Sequence, residues 1–476
     1  MSEKSVKIAF EAYTNHIPQT ITANVSAAAN RVLNNRSLRV ADFEDWEAMR
    51  QAASDLRLHT LLHLDAYLEQ VEQNVTAAGG QVHWASTDEE ARQIVLEIAR
   101  EHAVQKIVKV KSMATEEIGL NQALQAAGLQ VTETDLGEFI IQLAGSGPSH
   151  IIIPAIHMKK EEIADLFKEK LGVDAPAQAE ALTAIAREHL RKEFLQADMG
   201  ISGANFLIAE TGTIVIVSNE GNARLSTTLP DLHVAVVGID KVIPDWESAG
   251  LLLRMLARSA TGQKITAYNS FITGPRTTEG EYGAKEFHLV LLDNGRSRIL
   301  ADPQALETLK CIRCGCCLNA CPVYKNVGGF AYGWFIPGPI GAIFTPQILG
   351  TRAARELPFA SSLCGACVDV CPVKVPFTKI LLHLRHRVAE GDDFSGRAVD
   401  PPLRAAMKLG QAAFGWGWLY RFGTVLLPGA SRPLVRQGWM EKLPPPFNRW
   451  TQVRPFPAFN SDFRHWWKQH QKGQEK

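Results

Sequence analysis

The chain has 476 residues, 46% of them hydrophobic and 21% charged, with 50 Lys/Arg set against 50 Asp/Glu. This composition fits a soluble protein of two or three domains with ordinary globular cores, and gives no reason to expect nucleic acid as a partner. No apolar run reaches eighteen uninterrupted residues; the nearest, 409–428, is broken by Arg421 and rich in glycine, which argues against a spanning helix.

In chain order, residues 1–78 read as a helical arm. Trp46, Met49, Ala53 and Leu56, then Leu61, Leu64 and Leu68, fall at helical spacing, and Gly79-Gly80 ends the arm. Residues 79–300 form an α/β domain. Strands are expected at 81–85, 106–111, 131–134 and 151–154, and helices at 87–102, 115–127, 159–171 and 178–195. Strands alternating with helices of this length indicate βαβ units and a mostly parallel sheet. From Asn205 the pattern changes to a hairpin, 206–210 and 213–218 about Thr211-Gly212. Further strands at 233–239 and 287–292 flank a helix at 247–261, and Asp293-Asn294-Gly295 makes a turn.

Residues 301–392 hold all eight cysteines in two ordered runs. The first is Cys311-x2-Cys314-x2-Cys317-x3-Cys321-Pro322; the second is Cys364-x2-Cys367-x3-Cys371-Pro372. The first matches the bacterial ferredoxin pattern, in which three thiolates wrap one cubane cluster and the fourth, before proline, reaches across to the other. Disulfides call for an oxidising compartment, and no signal peptide opens MSEKSVKIAF; structural zinc uses paired CxxC units instead. By cross-ligation, Cys311, Cys314, Cys317 and Cys371 make one complete cluster, whereas Cys321, Cys364 and Cys367 hold the other with three thiolates. Ser361 stands where the second run would carry its first cysteine. That corner is open to the Ser361 hydroxyl, water, a partner's ligand, or a three-iron cluster. Cys316 reads as a spare buried thiol.

Residues 393–476 are basic and rich in tryptophan. From Pro401 on there are twelve Lys/Arg against three Asp/Glu, with Trp416, Trp418, Trp439, Trp450, Trp466 and Trp467. Such a tail suits docking to an acidic partner or peripheral contact with a membrane, or else a solvated cover over the cluster domain.

The α/β half carries weaker signals. Lys109, Lys111 and Ser112 lie at a strand end, where open parallel sheets bind ligands, followed by Thr115, Glu116 and Glu117. Thr134 to Glu138 forms a second polar strand end. Glu220, Asn222 and Arg224 follow the hairpin, and Arg224 is a candidate clamp for a carboxylate. Each has a plain structural alternative as cap, dipole complement or surface ion pair. His157 and His233 read as packed or solvated histidines. No GxGxxG, Walker loop or GxSxG is present.

The segments KSMATEEIGLNQAL, ETDLGEFIIQL, PSHIIIPAIH, GANFLIAETGTIVIVSNEGNARLSTTLP and EFHLVLLDNGRS resemble the lactate-utilisation (LUD) domain. Together with CIRCGCCLNACPVY, GPIGAIFTP, ELPFASSLCGACVDVCPVKVP and the tail segment NRWTQVRPFPAF, they resemble the lactate utilisation protein B family from about Asp45 onward. The resemblance implies an α/β domain similar to the sugar-phosphate isomerase and coenzyme A transferase folds, followed by an α-helical ferredoxin-like domain with two 4Fe–4S clusters. It implies the ligand sets given above, the second cluster being 3Fe–4S or carrying a non-cysteine ligand where Ser361 stands. It implies a cytoplasmic electron carrier in the oxidation of L-lactate to pyruvate, working with a cysteine-rich LutA-like protein and a LutC-like LUD protein. No catalytic residue comes with the resemblance. Two other functions stand beside electron transfer: a LUD domain that itself binds and oxidises the 2-hydroxy acid, and an iron–sulfur redox sensor. Paired clusters favour relay over sensing, and the missing flavin fingerprint favours relay over self-contained oxidation.

Overall fold

The computed structural model describes residues 8–14, 17–278, 280–391, 394, 396, 401–445, 448–451, 454–459 and 463–474. The expected boundary at 392/393 lies outside the described residues, as do Gln452 and Val453 of the tail segment and the first seven residues. Two compact units are formed, residues 1–396 and 397–476.

Among the described residues ten strands organise the first unit: β1 (Gln81–Ala85), β2 (Lys106–Lys109), β3 (Gln130–Glu133), β4 (Met199–Ser202), β5 (Phe206–Ile208), β6 (Thr213–Ser218), β7 (Leu232–Gly238), β8 (Val242–Ile243), β9 (Tyr268–Ile272) and β10 (Glu286–Leu292). Six of them make an all-parallel sheet in the order β1-β10-β7-β4-β2-β3. The other four make a smaller mixed sheet, β8-β5-β6-β9. The central strands β4, β7 and β10 are buried on both faces and are mostly apolar, whereas the edge strand β1 is partly exposed. Val290 and Leu292 pack with Val95, Ile98 and Leu124 of the helices on one side. Phe287, Leu289 and Leu291 pack with Leu68, Val71 and Ile214 on the other.

The strand expected at 151–154 is not formed. The backbone N–H groups of Ile152 and Ile153 both donate to Nδ1 of the buried His150 (3.0 and 3.1 Å), and Ser149 N–H donates to the Pro154 carbonyl. A histidine ring therefore satisfies the donors that a ladder would have used. The helix expected at 115–127 is two helices, Met113–Glu117 and Leu120–Ala126, separated at Gly119 (φ 61°). Strand β4 escapes a sequence reading because it is short and contains Gly200. A Cβ there would lie 1.8 Å from the Ser226 carbonyl oxygen, so only glycine fits.

The helical arm and the cysteine-rich segment share one core. Val25, Met49, Ala53 and Leu61 belong to the same buried cluster as Ile312, Leu318, Tyr324 and Phe344. A polar clamp joins these parts. The fully buried guanidinium of Arg57 donates to the carbonyls of Val242 (2.6 Å) and Asp240 and to those of Leu309 (3.1 Å) and Lys310 (3.4 Å). Burial draws its pKa down to about 10, with Asp240 opposing the shift.

The second unit contains the helices Pro401–Gly415 and Gly417–Ser431, a three-stranded antiparallel ribbon (Val435–Arg436, Trp439–Met440, Phe456–Pro457) and the helix Phe463–Gln474. The apolar stretch 409–428 is split at Trp416, whose backbone is extended. Among the described residues no helix is long and apolar enough to cross a membrane. Trp416, Trp418, Trp439, Trp466 and Trp467 are exposed.

Arg57→Ala leaves four buried carbonyls short of a donor, and a cost of about 3 kcal/mol is expected. Thermal unfolding of the cluster-loaded protein checks this. A melting temperature within a degree of the parent would mean that the clamp is dispensable.

Candidate metal centres and the adjoining cavity

The two cysteine runs fold alike. In the first, Arg313 (φ 58°) and Gly315 (φ 72°) adopt left-handed backbone on either side of Cys314, and the short helix Cys316–Ala320 follows. In the second, Leu363 (φ 56°) and Gly365 (φ 85°) flank Cys364, and the helix Ala366–Val370 follows. Left-handed residues turn the chain sharply enough for thiols two residues apart to face one point. The two short helices pack against each other, so the loops lie side by side.

The thiols sort into two small cavities. Cys311, Cys314, Cys317 and Cys371 line one, together with Ile151, Ile312 and Phe377. Cys321, Cys364, Cys367 and Ser361 line the other. The last cysteine of each run, the one before proline, thus stands with the first members of the other run. Cys316 lines neither cavity; it is buried, and burial pushes its thiol up to about 12.

The donor chemistry fits iron–sulfur clusters. Burial and the neighbouring sulfurs push the Cys314 and Cys317 thiols well above their ordinary range, so four thiolates share that space only around a strongly positive core. Backbone N–H groups supply further compensation: Arg313 donates to Cys311 Sγ (3.4 Å), Val375 to Cys371 Sγ (3.3 Å) and Tyr324 to Cys321 Sγ (3.5 Å). Hydrogen bonds to the sulfurs also tune the potential of a bound cluster.

Ser361 answers to Cys311. Leu363 N–H donates to Ser361 Oγ (3.1 Å), two residues back, as Arg313 N–H donates to Cys311 Sγ. The hydroxyl therefore stands at the position that corresponds to the Cys311 thiol of the first run. The settings differ in exposure, because Cys364 is exposed whereas Cys311, Cys314, Cys317 and Cys371 are all buried.

A larger cavity of about 380 Å³ opens at the carboxyl ends of β2, β4 and β7. Of the candidate residues, Lys111, Ser112, Glu220 and Asn222 line it. Arg224 does not: it is exposed and lies over the Tyr268 ring, 5.3 Å from the centroid, because the short helix Asn222–Thr228 turns it outward. Sequence reasoning missed Lys241, Arg296 and Arg313, which also line the cavity. Arg313 lies inside the first cysteine run, so its part in a cavity of the α/β domain had no local signal. Ile151 and Ile312 line both this cavity and the one formed by Cys311, Cys314, Cys317 and Cys371.

A buried ionic network underlies the cavity floor. Arg296 grips Glu117 with two bonds of 2.8 Å and also donates to Asp240. Burial opposes ionisation of Asp240, but Arg296, Lys241 and Arg313 hold its carboxyl well below the usual range. Lys241 is drawn down to about 8 by burial, with Asp240 opposing. Glu220 is pushed up to about 7 by burial and by Asp135. His233 is buried and bonded to Ser202 Oγ (2.7 Å), and His157 packs on the Phe330 ring; both are packed side chains.

Paired cysteine cavities beside a parallel-sheet domain define an iron–sulfur protein of two-cluster type. Family models agree: one for the LUD domain matches residues 68–292, and one for a 4Fe-4S dicluster domain matches residues 307–375. Lactate utilization protein B of Shouchella clausii is 46% identical over 454 residues, 94% of each chain. That of Bacillus licheniformis is 45% identical (95% of this chain, 94% of the relative), and that of Bacillus pumilus 43% identical (99% and 100%). The chain belongs to the lactate utilisation protein B family. The crystal structure of a DUF162 family protein from Deinococcus radiodurans covers 48% of this chain and 98% of its own, at 14% identity and a TM-score of 0.28, too distant a likeness to carry weight.

A series of single substitutions, read by iron analysis and electron paramagnetic resonance, separates the roles of these residues. Cys316→Ala should leave both signals and the iron content unchanged. Cys314→Ala should remove one cluster, about four iron atoms. Ser361→Ala should give the signal of a three-iron cluster in the oxidised protein. A three-iron signal already present in the parent would show that the hydroxyl is not a ligand.

Proposed function

We propose that this chain is the iron–sulfur electron-transfer subunit of a system that oxidises L-lactate to pyruvate. The observation that carries the reading is the order of the sites: large cavity, a fully buried cysteine set, then a set with one exposed member, Cys364. Cys311, Cys314, Cys317 and Cys371 would hold a 4Fe–4S cluster at the cavity wall. Cys321, Cys364 and Cys367, with the Ser361 oxygen at the fourth corner, would hold a second cluster at the surface. When bound, such clusters supply one-electron storage and transfer. The apolar wall of Ile151 and Ile312 keeps water from the buried thiols, and the exposed Cys364 brings the second site within a partner's reach. Lactate gives up two electrons and two protons, so a two-electron centre must act upstream, in a partner or bound in the cavity.

The expected partners are the cysteine-rich and second LUD proteins of the same system. The second unit suits a docking role, with its excess of Lys/Arg and its exposed tryptophans directed at an acidic partner; peripheral contact with the cytoplasmic membrane face ranks second. Deleting the residues after Asp400 should leave iron content unchanged and uncouple lactate oxidation from the respiratory chain. Normal growth of the truncated strain on lactate would contradict the docking role.

A second reading, that the 2-hydroxy acid binds in the cavity itself, is favoured by Arg313. Its Nη1 is buried and has no hydrogen-bond partner among the described residues, and Lys111 and Lys241 line the same space. A carboxylate would complete that guanidinium beside the first cysteine cavity. Glu220 gains negative charge as pH rises through about 7, next to Asp135 and Lys111, so an anion should bind more weakly at pH 8 than at pH 6. Anaerobic equilibrium dialysis with labelled L-lactate checks this. Glu220→Gln should reduce the pH dependence, leaving the part due to Lys241, and no binding at either pH would remove the second reading while leaving the relay untouched.

A further inference from the structure

The amino-terminal end of the parallel sheet, opposite the cavity, carries a cluster of imidazoles that the relay does not use. Glu286 and His288 are alternate residues of β10 and so share a face; His83 is on the neighbouring β1, and His102 caps the end of the helix Asp88–Glu101. Glu286 Oε2 lies 3.0 Å from His102 Nε2 and 3.8 Å from His288 Nε2. One ligand atom from each of the three residues falls within 4.8 Å of the others.

Hydrogen bonding on the far side of each ring decides what faces the centre. His102 Nδ1 is 2.9 Å from the Ile98 carbonyl, which only accepts, so this nitrogen carries the proton. In the neutral ring Nε2 is then a bare lone pair directed at a carboxylate oxygen. Two acceptors at that distance repel unless a positive centre lies between them. His288 Nδ1 meets His83 Nε2 at 3.0 Å, and one proton serves that contact. If His288 carries it, its Nε2 is a second bare lone pair. If His83 carries it, His288 holds a buried N–H with nothing to bond. Either way His288 Nε2 has no hydrogen-bond partner among the described residues, in a residue only 3% exposed. Burial, then His83, draws the His288 pKa down to about 4, so the ring stays neutral. A proton on His102 would satisfy the pair with Glu286 but would still leave His288 Nε2 bare.

We propose that His102 Nε2, His288 Nε2 and a Glu286 oxygen bind a divalent transition cation of the zinc class. Two imidazoles and a carboxylate form an ordinary zinc donor set, and tetrahedral ligation at about 2 Å needs donors ~3.3 Å apart, close to the spacings present. The Ile98 carbonyl and His83 supply the outer hydrogen bonds that ligating histidines characteristically make. Glu101 adds negative charge near His83 and His102. The fourth position faces solvent. The ion would pin the end of the helix Asp88–Glu101 to β10, some distance along the strands from the cavity, and so would serve stability rather than the redox chemistry.

The test uses the full cluster-loaded chain, purified anaerobically and stripped of loose metal with a mild chelator. Equilibrium dialysis against micromolar Zn2+, with zinc and iron counted per chain, should give one zinc with iron content and visible absorbance unchanged. Calcium should not bind, since nitrogen donors select borderline metals. His102→Ala and Glu286→Gln alter exposed groups and should abolish the zinc equivalent, and His83→Ala should weaken it about 10-fold. Zinc should also raise the melting temperature of the parent and not that of His102→Ala. Absence of zinc at tens of micromolar, or zinc that persists undiminished in both ligand variants, overturns the site.

Discussion

The arrangement depends on a buried polar joint between the parallel sheet, the helical arm and the first cysteine loop. Arg57 comes from the arm, yet its guanidinium bonds carbonyls on both sides of the junction, Asp240 and Val242 after β7 and Leu309 and Lys310 before Cys311. The Asp240 carboxylate turns the other way, toward Arg296, Lys241 and Arg313. Burying so many charges is costly unless each is paired, and pairing demands one geometry. The joint therefore fixes where the cysteine loop sits against the carboxyl ends of the strands. His150 adds a second tie: its ring accepts from Ile152 and Ile153 and contacts Asn319 of the short helix after Gly315.

That placement gives the two cysteine cavities unequal surroundings. The first is sealed under Ile151, Ile312 and Phe377 and borders the large cavity; the second reaches the surface at Cys364. Burial and local charge set the potential of an iron–sulfur centre as strongly as its ligands do. Two such centres, one enclosed beside Arg313, the other with the exposed Cys364 and, as proposed, an oxygen donor in place of sulfur, would differ in potential. A gradient of that kind gives a relay its direction.

How much of this was legible in the sequence varies with the range of the forces involved. The cysteine runs were fully legible, because ligand spacing is local and the geometry around Gly315 and Gly365 follows from it. The parallel sheet was legible from the alternation of strands and helices, apart from β4, where packing on Ser226 forces a glycine that erases the apolar signal. The triplet Ile151–Ile153 has the composition of a strand, but a histidine one residue earlier captures its donors. The cavity was half legible. Lys111, Ser112, Glu220 and Asn222 follow strand ends, where a rule about sheets applies, whereas Arg313 and Arg296 arrive through tertiary packing that no local pattern encodes. Arg224 was misread because the loop was taken to continue where the short helix Asn222–Thr228 begins.

The central claim is that each cluster is shared between the two runs and that one of them borders the large cavity. Crystals of the anaerobically purified protein, measured at the iron absorption edge, test it directly. The account predicts two anomalous peaks, one enclosed by Cys311, Cys314, Cys317 and Cys371 against Ile151 and Ile312, the other by Cys321, Cys364, Cys367 and Ser361. A single peak, or a peak held by Cys311, Cys314, Cys317 and Cys321 of the first run alone, would contradict it.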